Sequence, residues 1–530
     1  MSLSGTSFIG SGRSTQNGSS FRASAPATGA ELEPRYFSAS AEELERAVTL
    51  AAQAFEVYSR VPRTTRSNLL KQIAQKIEAA QDQLIERAHA ESALPLPRLR
   101  GEIARTCNQL RVFAQVAEEG SWTSPRIDHA DPARKPVPKP DVRSMLRPIG
   151  PVVVFGASNF PFAFSVAGGD TASVLAAGNP VVVKAHPAHP GTSELMALAI
   201  QQSVAECGLP EGVFSMLFDS GNSIGAGLVQ HPLIKAAAFT GSLAAGRALF
   251  NLAVNRPEPI PFYGEMGSTN PLFVLPGALA SFTEKIAGDL FNSFTLGAGQ
   301  FCTKPGLVFL NEGKSAEQFM TVLQNKVKES APFTLLTAGI GKSFEKELQT
   351  REGRVGLQTL AKGVSPSQTL QTTAIATVFR TDVSSFVRDP HLSEEHFGPS
   401  TVLIAYNRKE EILDCARNLS GHLTATIHCT AEDLKEYTEL IPILETKVGR
   451  IIFNGYPTGL EICDAIVHGG PYPSTTDVRT TSVGTLAIYR FAKPVCYQDC
   501  PAAALPPELQ EANPLGVWRL VDGEITNRKG

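Results

Sequence analysis

The chain has 530 residues, 42% of them hydrophobic, more than a single core uses, so two or three domains are expected. Lys and Arg total 48 against 51 acidic residues, and the resulting net charge of -3 argues against nucleic acid or a membrane surface as a partner; small molecules or further copies of the chain fit better. Eight cysteines scattered along the chain form no disulfide framework and no CxxC pair, so a reducing compartment and no bound metal are expected.

The start lacks a basic segment followed by an apolar one, and no stretch approaches about 18 uninterrupted apolar residues. A soluble, cytoplasmic protein is the expectation. Residues 1–38 are rich in Ser, Gly and Thr and are expected to wrap the surface with short strands. Ser40 and Glu43 form a capping box, and Leu44, Ala47, Val48, Ala51 and Phe55 recur behind it at helical spacing. A second helical pattern passes through Leu69, Leu70, Ile73, Ile77 and Leu84, and a third spans 97–119. Prolines at 125, 132, 136, 138, 140 and 148 exclude a helix there and favour an extended arm. Within it, residues 141–147 alternate as an edge strand does, which suits pairing with another subunit.

After Gly150 short apolar runs at 151–155, 180–184, 213–218 and 235–240 alternate with helical stretches at 163–177, 192–207, 224–230 and 243–254. Continuous runs of this kind are buried on both faces, so the pattern predicts a doubly wound parallel sheet that binds ligands at its carboxyl ends. A second βα series follows, with strands at 272–275 and 306–310 around a helix at 281–295.

Several residues stand where chemistry is done. Cys302, in Gly299-Gln300-Phe301-Cys302-Thr303-Lys304-Pro305, lies between a helix end and a buried strand, a position for a held nucleophile or for a small core hydrophobe. Lys184 leaves a buried strand at its carboxyl end, as a ribose or phosphate contact or as a plain surface lysine. In Thr240-Gly241-Ser242-Leu243-Ala244-Ala245-Gly246 a strand leads into a glycine-bounded turn and a helix, a cradle for phosphate. Glu265, flanked by Gly264 and Gly267, is placed as a general base or as a salt-bridged glutamate. Asn159, after the first strand, could donate to an oxyanion or close its own turn.

Together, Asn159-Phe160-Pro161, Lys184, Phe239-Thr240-Gly241-Ser242, Glu265-Met266-Gly267, Gly299-Gln300-Phe301-Cys302 and Glu394-Glu395-His396-Phe397-Gly398-Pro399 resemble the aldehyde dehydrogenase superfamily, in that family's order. The resemblance runs from about residue 28 to 494. It implies an α/β fold with a cofactor-binding domain (1–136 and 150–262), a catalytic domain (263–480) and a small β oligomerisation arm (137–149 and 481–500), followed by a C-terminal extension (501–530). It also implies that Cys302 is the nucleophile, Glu265 the general base and Asn159 the oxyanion donor. Lys184, Gly241, Ser242, Gly246, Glu395 and Phe397 would bind the cofactor, with Lys184 at the adenosine ribose, Ser242 at the pyrophosphate and Glu395 at the nicotinamide ribose. Members that acylate coenzyme A typically lack the glutamate, so Glu265 implies a hydrolytic, non-acylating enzyme.

Many members that use NAD carry a glutamate three residues after the lysine, where it repels a 2′-phosphate. Here that residue is Pro187. With Lys184 and Ser223 nearby the expected cofactor is NADP, with use of NAD left open. Met266, in place of the usual leucine, is expected to be neutral. Residues 453–461 and 468–474 resemble a branch holding 2-oxoglutarate semialdehyde (2,5-dioxovalerate) dehydrogenases and an NADP-dependent fatty aldehyde dehydrogenase. The first activity is the expectation and long-chain aldehyde oxidation the alternative. A semialdehyde carboxylate calls for Arg or Lys, yet residues 454–477 hold neither; serine, threonine and backbone groups of that loop could substitute, or Arg105 or Arg111 could reach in from the third helix. A homodimer or homotetramer is expected.

Overall fold

The computed structural model describes residues 3–528. Three sheets carry the fold, two of seven strands and one of five. In the first, Val152–Phe155, Val181–Lys184, Phe214–Leu217, Ala236–Thr240 and Phe262–Glu265 run parallel. Their Val and Ala side chains are buried on both faces, which is why these runs are continuous rather than alternating. The strand Ala236–Thr240 lies beside Val152–Phe155 on the side away from Val181–Lys184. Strand order therefore reverses between these two neighbours, and a crevice for ligand opens at their carboxyl ends. The segments that leave them, 156–159 and 241–242, border it.

Residues 1–38 do more than wrap the surface. Phe8–Ile9 pairs antiparallel with Phe214–Leu217, and Phe8 is wholly buried, so the N-terminal segment supplies an edge of the first sheet. The Ser40 capping box forms as expected, and the third helix runs Leu96–Glu119. The helix expected at 163–177 is shortened to Gly169–Ala177. Its missing turns are diverted: the N–H groups of Phe162 and Ala163 donate to Glu102 Oε1 at 2.9 and 3.0 Å.

The second sheet places Leu307–Asn311 beside Leu272–Val274, joined by the helix Pro276–Thr295, which starts earlier than expected because Pro276 opens its first turn. Thr377–Asp382, Ser400–Tyr406, His422–His428 and Val448–Phe453 complete its parallel part.

The five-stranded sheet is the arm. Val142–Pro148 pairs antiparallel with Ala492–Gln498 and with Arg126–Asp128. Of the expected extension 501–530, the described residues 501–528 do not stand apart. Arg519–Val521 joins Arg126–Asp128 and is followed by Glu524–Thr526, while Leu505 and Leu509 pack on Ile127 and Met145. This small apolar cluster gives the C-terminal residues a reason to fold back. Among the described residues no helix is long and apolar enough to cross a membrane.

Candidate active site

Cys302 lies where the helix Pro276–Thr295 passes through the turn Leu296–Gly299 toward the strand Leu307–Asn311. Gly299 has φ 69°, and a Cβ there would come within 2.2 Å of the Gly398 carbonyl oxygen. Only glycine lets the cysteine turn lie against the loop that carries Glu395. Asn270 holds the other side, its Nδ2 donating to the carbonyls of Cys302 at 2.8 Å and Lys304 at 3.0 Å. Lys304, itself buried, donates to the carbonyls of His396 at 2.7 Å and Ser400 at 2.9 Å. The nucleophile's backbone is thus pinned from three directions.

Glu265 ends the strand Phe262–Glu265 and is buried facing Cys302. His468 completes the group, with Nε2 3.5 Å from Cys302 Sγ and 3.0 Å from Glu265 Oε1. The second contact is a charge contact rather than an aligned hydrogen bond, since Oε1 has no hydrogen-bond partner. Glu265 Oε2 accepts from Ser482 Oγ. Burial pushes the Glu265 carboxyl up, but the nearby charge of His468 and the hydrogen bond from Ser482 outweigh it and hold the group below the ordinary range. The Cys302 thiol goes the other way: burial raises it well above the usual value, and the Glu265 charge adds to that. A protonated thiol therefore sits beside an ionised carboxylate.

Asn159 reaches the turn that carries the cysteine. Its amide Nδ2 donates to the Gln300 carbonyl at 3.0 Å, which leaves the second N–H for a ligand. One stripe of the helix Leu96–Glu119 supports it. Arg98 donates to the Asn159 carbonyl at 2.7 Å and lies over the rings of Phe160 and Phe301, while Glu102 holds Phe162 and Ala163.

The residues expected at the cofactor fall around the crevice. Ser242 caps the helix Leu243–Val254, its Oγ accepting from Ala245 N–H, and the exposed turn leaves the Leu243 and Ala244 N–H groups for a phosphate. Gly246 has a packing part as well: its N–H is bonded to the Ser242 carbonyl, and a Cβ would meet Met266 Sδ at 2.7 Å, so Gly246 seats the helix on the sheet. The same contact shows that Met266 is not idle. Lys184 donates to the Asp219 carbonyl at 2.9 Å, and Ser223, which opens the helix Ser223–Gln230, is exposed. The Glu395 carboxylate is turned inward: it lies against Gly267 and faces Lys304, and burial raises it. Phe397 is half-buried on the same loop.

A model of the aldehyde dehydrogenase family matches residues 13–490. The chain belongs to the aldehyde dehydrogenase family. A relative named alpha-ketoglutaric semialdehyde dehydrogenase 2, from Azospirillum brasilense, is 45% identical over 99% of this chain and 100% of its own length. An alpha-ketoglutaric semialdehyde dehydrogenase from Acinetobacter baylyi is 46% identical over 92% of each chain. Among solved structures, 3,6-anhydro-L-galactose dehydrogenase matches with a TM-score of 0.79 at 23% identity, covering 93% of this chain and 99% of its own. NADP-dependent glyceraldehyde-3-phosphate dehydrogenase from Bacillus halodurans, solved with NADP, matches with a TM-score of 0.78 at 20% identity, covering 94% and 99%. These two likenesses bear on the fold.

Within this aldehyde dehydrogenase the sequence reading passed over His468, Asn270 and the stripe Arg98 and Glu102. His468 and Asn270 lie inside motifs that were read for other reasons. Arg98 and Glu102 carried a signal, being charged residues at i and i+4 on the inward stripe of an amphipathic helix. His468→Phe is expected to move the acid limb of the rate profile to higher pH. Without the histidine's charge, burial is less opposed and Glu265 must lose its proton at higher pH before it can act as a base. An unmoved acid limb in kcat/KM against pH refutes that coupling.

Proposed function

We propose that this chain oxidises 2-oxoglutarate semialdehyde (2,5-dioxovalerate) to its acid by a hydrolytic, non-acylating route, with NADP as the preferred acceptor. The observation that carries the chemistry is the convergence of Cys302, Glu265 and His468, whose donor atoms lie within 4.8 Å of one another, opposite the free N–H of Asn159. The choice of substrate is supported by the two near-full-length relatives of that name.

Glu265 takes the Cys302 proton, and the thiolate bonds to the aldehyde carbon. The resulting oxyanion is met by the Asn159 amide and by the Cys302 backbone N–H, which makes no hydrogen bond among the described residues. A nicotinamide dinucleotide suits the crevice, given the free N–H groups at Leu243 and Ala244, and when bound it supplies the hydride acceptor. Loss of hydride turns the thiohemiacetal on Cys302 into a thioester. Glu265, relieved of its first proton, then draws one from water, whose oxygen displaces the thiolate. Aldehyde, oxidised cofactor and water become carboxylate, reduced cofactor and two protons.

Pro187 supports NADP, because the position after Lys184 that could repel a 2′-phosphate carries no charge. We read the arm as the contact of a homodimer or homotetramer, with Leu486 and Tyr489 exposed beside it. Comparing 2,5-dioxovalerate with decanal, each with NADP and NAD, tests the proposal. The expected result is a kcat/KM for 2,5-dioxovalerate with NADP at least about tenfold above the other three pairs, a margin of about 1.4 kcal/mol. Decanal as the better substrate, or NAD as the better cofactor, overturns the corresponding half of the reading.

A further inference from the structure

Arg105 and Arg450 feel the charge of Cys302, and Arg98 lies over the Phe301 ring beside it; the three differ in how far their N–H groups are used. Arg98 gives one nitrogen to the Asn159 carbonyl. Arg450, on the strand Val448–Phe453, gives Nη1 to the Gly459 carbonyl at 3.1 Å and Nη2 to the Pro457 carbonyl at 2.9 Å, which fixes the 457–459 loop. Arg105 gives none: its guanidinium makes no hydrogen bond and no ion pair among the described residues, and its Nη2 is buried without a partner. Arg111, the other candidate from the sequence, is spent on Glu78, donating to both carboxylate oxygens at 2.7 and 2.6 Å.

Arg105 is also in the right place. It extends the stripe of Arg98 and Glu102 by one more turn, and its guanidinium carbon lies 5.1 Å from the centre of the Phe164 ring. Phe164 in turn lies 6.3 Å, ring to ring, from His468, which touches Cys302. The guanidinium is therefore one aromatic ring beyond the catalytic group, and its charge is felt by Cys302, Glu265 and Glu461. A guanidinium held on an aromatic face with its donors unused is poised for a planar anion. An unpaired buried donor costs stability, and that cost is recovered when a ligand supplies the acceptor.

We propose that Arg105 is the specificity-determining residue that binds the carboxylate at the far end of the substrate. This rests on the semialdehyde reading above and deepens it: the aldehyde carbon is at Cys302, the carbon chain lies along Phe164, and the carboxylate meets the Arg105 fork. Arg450, with its two terminal nitrogens committed, adds positive potential without a contact. Specificity of this kind falls on the charged substrate alone, because a neutral aldehyde gains nothing from the guanidinium.

Kinetics on Arg105→Met with 2,5-dioxovalerate and with pentanal, an uncharged aldehyde of the same carbon number, test the assignment. The expected outcome is a loss of at least about 100-fold in kcat/KM for 2,5-dioxovalerate, mainly through KM, with pentanal changed by less than about threefold; Arg105→Lys recovers part of the loss. An equal loss on both aldehydes, or none on either, overturns the proposal. Calorimetric titration of 2-oxoglutarate into the enzyme separates this proposal from the reaction it rests on. Binding by the wild type that Arg105→Met abolishes supports the anion site even if 2,5-dioxovalerate is not oxidised, whereas binding unaltered by the substitution, or absent from the wild type, refutes it.

Discussion

Cys302→Ala lowers aldehyde-dependent formation of reduced cofactor by at least about four orders of magnitude while leaving cofactor binding intact. The size follows from the chemistry: without sulfur there is no thiohemiacetal, so the Asn159 amide and the Cys302 N–H have no oxyanion to hold, and Glu265 has neither a thiol to deprotonate nor a thioester to hydrolyse. Binding survives because Lys184, Ser242 and the N–H groups of Leu243 and Ala244 lie on a different wall of the crevice. The fold survives as well, since the pins on this turn are the Asn270 amide and the Lys304 ammonium acting on backbone carbonyls, and neither uses the sulfur. Steady-state assays paired with fluorescence titration of NADPH read both halves. Residual turnover within tenfold of the wild type removes Cys302 from the reaction.

The residues that could be read from the sequence share one property. Glu265, Asn159, Lys184 and Ser242 each follow or end a short apolar run, and a parallel sheet gathers the carboxyl ends of such runs on one edge, whereas Cys302 precedes its strand and stood out by the turn between a helix end and a buried run. Local pattern plus that topological rule is enough to bring them together. His468 obeys no such rule: it comes from an irregular segment 166 residues after Cys302, and only the closure of that segment over the crevice brings its ring to Glu265. Gly246 also packs closely on Met266, a role the spacing does not reveal, because the spacing of a glycine-bounded turn does not tell a glycine that admits phosphate from one that admits a neighbouring side chain. The shortened helix at Gly169 and the folding-back of 501–528 depend on Glu102 and on Leu505 and Leu509, partners remote in the chain. Helical and strand periodicity record which face is buried, not what buries it.

Glu265→Gln separates the two halves of the reaction. The amide is nearly isosteric and keeps a carbonyl oxygen for Ser482, so the site stays assembled, but it cannot accept a proton at neutral pH. Deacylation depends fully on that proton, because water is a poor nucleophile toward a thioester without a base, and a loss of about 100-fold to 10,000-fold in steady-state kcat is expected. Acylation is affected in two opposed ways. The variant loses the base for Cys302, but it also loses the negative charge that raises the thiol, so ionisation by bulk base becomes easier. A rapid burst of reduced cofactor, near one equivalent per site, followed by a slow phase is therefore the expected trace, and its burst rate should rise with pH as the thiol ionises. Mass spectrometry of the quenched enzyme should find the acyl group on Cys302. A variant that shows neither burst nor acyl-enzyme yet still loses turnover would place the essential work of Glu265 before the thioester; one with normal steady-state turnover would exclude it as the base for hydrolysis.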